Sequence, residues 1–349
     1  MSIYRGMTLT KNQRERYSRM LALRDFSEND MESIIKTTVA VVGAGGLGSP
    51  ALRLLTAIGF GTIRIIDRDV VELSNIQRQT VYNTEDIGKP KAEIAATNLA
   101  AMNPEVKFEP RVISIGEGNA SDLLRGSDII LDGLDSFRTR RAVNRASLEL
   151  DIPYIFAGAI EHYANLSTFI PGQTGCLQCV MGNADDNPEN TCARVGVSPV
   201  LLHLASSIEV NEAILLATGH QTQLANRLMT IDSSFLSFDF FDVGKVSDCP
   251  VCSKPVGTVE EEQQDLVITH LCSESYNISP HTILSIDLKQ ISTKLKKSYS
   301  HKLAKRYLIV EKPSGEKITL MPTGSAIIKG ASTPESAIQF YEEILGQPD

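Results

Sequence analysis

The chain of 349 residues has no tryptophan, no surplus of basic residues, few cysteines and no obvious long apolar run. Missing tryptophan excludes nothing by itself. The charge balance says more: 34 Lys and Arg face 42 Asp and Glu, a net charge of -8 with a pI near 5.4. A general nucleic-acid binder would carry the opposite sign, so direct nucleic-acid binding is not expected. No apolar stretch stands out at the roughly 20 residues a membrane helix needs, so no membrane span is expected. The start, Met1-Ser2-Ile3-Tyr4-Arg5-Gly6, is too short and polar before its first charge to read as a secretory signal. A cytoplasmic location is the expectation.

What remains is ordinary for a globular protein: 42% hydrophobic and 22% charged residues, with length enough for one large domain and a small one. Residues 8–36 read as polar and helical. Val39-Ala40-Val41-Val42 is then a short apolar strand running into Gly43-Ala44-Gly45-Gly46-Leu47-Gly48. A helix follows over Ala51–Ile58 and a second strand over Thr62–Asp67. Strand, glycine turn, helix, strand is a βαβ unit. The alternation continues with a helix at Pro90–Met102 and a strand within Pro104–Ile113. A short helix ends near Arg125, a buried strand spans Asp128–Asp132, a helix Phe137–Leu150 and a strand Tyr154–Ala159. The expected fold is α/β, a doubly wound Rossmann-like parallel sheet. From Ala164 an antiparallel part follows, with strands at Leu166–Ile170 and within Leu228–Val243 flanking a long helix, Pro199–Thr218.

Residues 256–265, with Glu260-Glu261-Glu262 and two glutamines, read as a polar linker. The expected division is residues 1–255 as the nucleotide-using domain and 266–349 as a small α+β domain. The latter has strand signals at Tyr307–Glu311, Lys317–Met321 and Ala326–Lys329, and a closing helix after Ser332-Thr333-Pro334-Glu335. Between Leu288 and Arg306 lie Lys289, Lys294, Lys296, Lys297, Lys302, Lys305 and Arg306 without an acid. This run reads either as a solvated face or as a dock for an acidic partner.

A glycine turn between strand and helix lets backbone approach phosphates, and the helix N-terminus supplies amides and a favourable dipole. Gly43, Gly45 and Gly48 fit a dinucleotide fingerprint, with Gly46 beside them, and Asp67 stands where an acid accepts ribose hydroxyls. NAD and ATP fit equally at this point. The next segment, Asp67-Arg68-Asp69 to Ser74-Asn75-Ile76-Gln77-Arg78-Gln79, packs acids, amides and a guanidinium together. A dehydrogenase has no use for that set, whereas chemistry at an α-phosphate needs fixed donors for the charge that develops. Lys91 adds a mobile cation, and Asp135, just past Asp132, suits a Mg²⁺ ligand.

Cys176-x-x-Cys179 and Cys249-x-x-Cys252 supply four thiolates, the set that a closed tetrahedral Zn²⁺ site takes. In a reducing compartment metal is favoured over disulfides. Cys192 stands apart in the polar loop Asn187-Pro188-Glu189-Asn190-Thr191-Cys192-Ala193-Arg194, where Arg194 could favour a thiolate. It is either a nucleophile or an incidental loop cysteine, and Cys272 reads as packing.

Gly-x-Gly-Gly-x-Gly, Asp-x-Asp, Ser-Asn-x-Gln-Arg-Gln, Gly-Lys-Pro-Lys and Asp-x-x-Asp, taken in this order, resemble the ThiF/MoeB/HesA family of compact ubiquitin-activating-enzyme relatives over roughly residues 12–255. The resemblance implies ATP and Mg²⁺ binding by the positions of Asp67, Asn75, Arg78, Lys91 and Asp135, and a structural Zn²⁺. It also implies that Arg19 reaches the triphosphate of a neighbouring subunit, hence a homodimer, and that Cys192 matches a position used by some members for a thioester or acyl disulfide. The implied activity is adenylation of the C-terminal glycine of a ubiquitin-like or sulfur-carrier protein ending in Gly-Gly. Transfer to a sulfur nucleophile follows, with a sulfur donor as a further partner. Thioester formation on Cys192 with delivery to a conjugating enzyme is an alternative, and an NAD-dependent oxidoreductase is the rival of another class.

Overall fold

The computed structural model describes residues 9–186, 192–253, 266–271, 275–280, 284–295, 299–304 and 307–346. The expected linker and Cys272 lie outside them. Three short helices open the chain: α1 (Lys11–Arg16), α2 (Ser18–Leu21) and α3 (Glu28–Lys36). Thr10 and Ser27 begin α1 and α3 as capping boxes, each hydroxyl accepting the amide three residues on. There follow β1 (Thr38–Val42), α4 (Gly48–Ile58), β2 (Thr62–Ile66), α5 (Lys91–Met102), β3 (Lys107–Arg111), α6 (Ala120–Leu124), β4 (Ile129–Asp132), α7 (Phe137–Leu150) and β5 (Tyr154–Ile160). Then come β6 (Tyr163–Phe169), α8 (Leu177–Met181), α9 (Cys192–Val195), α10 (Pro199–Thr218), β7 (Arg227–Asp232) and β8 (Ser237–Asp242).

These strands form one eight-stranded sheet in the order β3-β2-β1-β4-β5-β6-β7-β8. The first five run parallel, and β6, β7 and β8 are antiparallel additions. β1 is apolar throughout because both its faces are covered: Val39 and Val41 join one core, with Leu52, Leu55, Ile63 and Ala92, while Ala40 and Val42 join another, with Ile130, Leu123, Val143 and Tyr154. The strand order reverses at β1, so the carboxyl ends of β1, β2 and β4 border the crevice where such sheets bind ligands.

One expectation is corrected here. Helix α10 has 20 residues with a mean hydropathy of 1.5 over its best 18, long and apolar enough to cross a membrane by length and composition. Embedded Ser, His, Asn and Glu residues break up the run as written. In the fold it packs on α4, β5 and α3, and its two carboxylates, Glu209 and Glu212, are turned wholly inside.

The remaining elements are β9 (Leu266–Leu271), β10 (Ser275–Pro280), α11 (Leu288–Lys294), β11 (Ser300–Leu303), β12 (Leu308–Glu311), β13 (Lys317–Leu320), β14 (Ala326–Lys329) and α12 (Pro334–Leu345). They make a second, antiparallel sheet in the order β11-β12-β13-β14-β10-β9. One face is sealed by Ala337, Phe340, Tyr341 and Ile344 of α12. From its other side Met321 and Ile327 enter the same core as Val106 and Val112 beside β3. Ser114 donates to Asn277 at 2.5 Å and Thr323 to the Val112 carbonyl at 3.3 Å, so the contact is polar as well as apolar. Of the lysine run, Lys289, Lys294 and Lys302 are exposed, and Lys296, Lys297, Lys305 and Arg306 lie outside the described residues.

Candidate active site

The glycine turn is dictated by contact distances. Gly43 follows β1 with φ +93°, and a Cβ there would stand 2.3 Å from the carbonyl oxygen of Gly133. A Cβ on Gly48 would stand 1.8 Å from the Gly43 carbonyl oxygen, so the first turn of α4 closes onto the strand only with glycine at both places. Gly46 carries the methyls of Leu202 from α10, with 2.9 Å from a built Cβ to the nearest. Gly45, the second glycine of the fingerprint, is open. The turn is held from two sides: Ser206 of α10 donates to the Leu47 carbonyl at 2.7 Å and Tyr82 to the Ala44 carbonyl at 2.9 Å.

Just past β2, Asp67 accepts from the amides of Ala44 and Asp69, each at 2.7 Å. One oxygen thus ties β2 to the glycine turn, and each oxygen keeps a lone pair for another donor. Burial pushes this carboxyl up to about 6, with Asp69 adding to the shift and Lys91 opposing it. Asp69 is itself held below the ordinary range because Lys91 and Arg68 outweigh its burial. Lys91 is only 5% exposed and its Nζ lies 3.1 Å from Asp69 Oδ2. Burial disfavours its charge, yet Asp69, Asp67 and Asp135 together hold its pKa above the usual lysine value. The expected mobile cation is therefore fixed, and these four groups share one field. Asp135 is exposed, immediately before the Ser136 cap of α7, and makes no hydrogen bond or ion pair among the described residues. Such a free hard oxygen donor fits Mg²⁺.

Asn75 is buried and accepts from the Glu72 amide at 3.1 Å, while Arg78 spends one nitrogen on the Ser74 carbonyl at 2.8 Å and keeps the rest of its guanidinium. Arg19 is exposed on α2. That helix is fixed by its neighbour Tyr17, buried over Gly59 and accepting from Asn103 at 3.1 Å.

Sequence reasoning missed the support beneath Asp135. Asp132 is wholly buried, paired with Arg140 at 2.9 Å and hydrogen-bonded by the Tyr154 hydroxyl. Arg140 also donates to the carbonyls of Leu134 and Ala157 at 2.6 and 2.8 Å, which pins the loop carrying Asp135. Glu209 of α10 faces this cluster, and among the described residues neither of its oxygens has a hydrogen bond of ordinary geometry. Burial, then the charge of Asp132, drives its pKa well above the usual carboxylate value, which favours its neutral form. Nothing distinguishes Arg140 in sequence from Arg138 and Arg141 beside it. Glu209 is hidden in the apolar helix.

The four sulfurs of Cys176, Cys179, Cys249 and Cys252 lie within 4.8 Å of one another. Three pairs measure 4.0, 3.8 and 3.5 Å. Tetrahedral coordination with Zn–S bonds of about 2.3 Å requires sulfurs about 3.8 Å apart, so the quartet fits Zn²⁺. The Val246 amide donates to Cys179 Sγ at 3.4 Å, as amides do toward metal thiolates. A cleft of about 400 Å³ lies beside this quartet, lined by Arg141, Arg145, Gln178 and Val251, and is separate from the glycine turn. Cys192 begins the single helical turn α9, where a loop is expected; its side chain lies outside the described residues.

Against known proteins, the family model described as "ThiF family" matches residues 17–251, more than half of the chain. A SAMP-activating enzyme E1 of Haloferax volcanii is 34% identical over 249 residues, covering 71% of this chain and 92% of that one. A sulfur carrier protein ThiS adenylyltransferase of Bacillus subtilis is 29% identical over 335 residues, 95% of this chain and 99% of that one, so the likeness includes the second sheet. Among solved structures, Escherichia coli MccB with MccA-N7isoASN superposes with a TM-score of 0.62 at 22% identity, over 69% of this chain and 75% of that one, a likeness of fold. With its motifs, sheet order and thiol quartet, the chain belongs to the ThiF family.

Proposed function

We propose that this protein is an ATP-dependent adenylyltransferase acting on the C-terminal glycine carboxylate of a sulfur-carrier or ubiquitin-like protein. The observation that carries the reading is the single electrostatic field of Asp67, Asp69, Lys91 and Asp135 at the carboxyl ends of the strands, beside an open glycine turn. ATP would place its ribose on Asp67 and its phosphates at Gly45 and the N-terminus of α4. Arg78, through the guanidinium nitrogens it leaves free, and Lys91 would meet charge building on the phosphoryl oxygens. The carrier carboxylate attacks the α-phosphorus, the bond to the β-phosphate oxygen breaks, and pyrophosphate leaves. Mg²⁺, held by Asp135, would neutralise the departing pyrophosphate. Most of the rate enhancement comes from alignment and fixed charge.

The relatives' names support a protein substrate: SAMP-activating enzyme and sulfur carrier protein adenylyltransferase. So does an exposed apolar surface at β8 and its turn, where Phe235, Leu236, Phe238, Phe240 and Phe241 are all open to solvent. The sulfur of Cys192, or of a persulfide on a partner protein, then attacks the acyl carbon, the acyl–phosphate bond breaks and AMP leaves. The four thiolates would hold a structural Zn²⁺, which would staple α8 to the segment after β8. Arg19, exposed on an anchored helix, is suited to complete a partner subunit's site in a homodimer. Residues 266–349 form a small α+β C-terminal domain, joined through residues 256–265 to the adenylation domain, residues 1–255. A reducing cytoplasm is the compartment this chemistry needs.

Displacement of a fluorescent ATP analogue separates this reading from the dehydrogenase rival, which leaves Arg78, Lys91 and the thiolates without a task. MgATP should displace the analogue at micromolar concentration, and NADH at the same concentration should not. Displacement by NADH as readily as by MgATP would overturn the assignment.

A further inference from the structure

Gln79 is 3% exposed, and its Oε1 is buried without a hydrogen-bond partner among the described residues. Its other amide atom, Nε2, is the one atom of the described residues, apart from Gly45 and its chain neighbours, within 4 Å of where a Cβ on Gly45 would stand, at 3.8 Å. Gly45 is the glycine whose missing side chain lets phosphate approach the backbone. The side chain is held there by its surroundings. Its backbone amide donates to the Asn75 carbonyl at 2.9 Å, and its carbonyl accepts from the Tyr82 amide at 3.2 Å. The residues that follow brace the turn, Val81 through Ser49 Oγ at 3.1 Å and Tyr82 through the Ala44 carbonyl.

A side chain placed only to fill this space would do better as methionine or leucine, because a buried acceptor without a partner is unfavourable. The amide is retained with its acceptor end unmatched and its donor end beside the open glycine. We propose that Gln79 is a phosphate-binding residue: its Nε2–H donates to a phosphoryl oxygen of the nucleotide lying over Gly45. The inference rests on the reading of the turn as an ATP site and adds a side-chain donor to the backbone amides there. The amide carries no charge, so it can meet the phosphoryl oxygen before and after pyrophosphate leaves without changing protonation.

The test uses the full chain, a fluorescent ATP analogue, and competition by MgATP and by adenosine, which has the base and ribose but no phosphate. For Gln79→Met the affinity for MgATP should fall about tenfold, the size expected for one hydrogen bond to a charged group, with adenosine unchanged within twofold. Equal loss of MgATP and adenosine would assign Gln79 to bracing the turn and overturn the proposal, as would unchanged MgATP binding. If Gln79→Met does not fold, Gln79→Glu keeps the size and replaces the donor by a negative charge. It should lose MgATP more than tenfold while holding adenosine, and retention of MgATP would be equally fatal. A parent chain that binds adenosine and MgATP equally, or neither, would remove the nucleotide reading itself, a result independent of any Gln79 variant.

Discussion

At the scale of single residues, the acids near the turn have different tasks set by their surroundings. Asp67 and Asp69 sit two residues apart, yet burial raises the first while Lys91 and Arg68 lower the second. Asp135 was singled out from its place after a buried strand, and the structure leaves it exposed at that edge. Arg140 and Glu209 were not legible as supports, since their partners come from distant segments; Gln79 was visible only as the last member of the Ser-Asn-x-Gln-Arg-Gln segment, not as the neighbour of Gly45. Glu209 gives a prediction with a definite sign. Its folded pKa lies above the unfolded one, so the stability it contributes is full below about pH 4.5 and is lost as pH rises through the folded value. Glu209→Gln, always neutral, should remove that loss. Thermal melts of the parent should drop relative to the variant by about 2 °C per pH unit from about pH 4.5 upward, levelling off once the folded pKa is passed. Parallel melting curves from pH 5 to 8 would mean that Glu209 is ionised in the folded protein.

At the scale of elements, the parallel strands were readable because β1 and β4 are apolar on both faces, and α4, α5 and α7 because their composition is helical between clear breaks. β10 escaped because Ser275, Asn277 and Ser279 look like loop residues; they are buried and polar because they meet Ser114 and neighbouring strands. The length of α10 was readable, its apolar character was not, because Glu209 and Glu212 interrupt the run. Glu212 is fully satisfied by Thr168 and the amides of Gln223 and Leu224, which clamps the helix to the antiparallel strands. The spacing of the cysteine pairs foretold their convergence across some seventy residues. The purified protein should hold one zinc per chain by elemental analysis. Cys252→Ser should release it and lower the melting temperature by several degrees, since a closed thiolate site contributes folding energy directly. A metal-free parent with an unchanged melting temperature would argue for a quartet of plain thiols.

At the scale of the molecule, the two sheets are not merely strung together. Met321 and Ile327 of the second sheet complete a core begun by Val106 and Val112, and Thr323 meets the Val112 carbonyl. Cutting the chain at residue 266 would expose that core, so a truncated protein is a poor probe of what the second sheet does for transfer. The large fold, its glycine turn and its thiol pairs were all visible in sequence. The contact between the sheets was not, because it is made by single residues of both. The central claim concerns chemistry at the α-phosphate, and isotope exchange of pyrophosphate into ATP reads it without a need for the later sulfur step. With MgATP and a sulfur-carrier protein ending in Gly-Gly, the full chain should catalyse exchange, and Asp135→Ala should lower it by about a hundredfold or more. No exchange with any such carrier, or exchange unchanged in Asp135→Ala, would contradict the account.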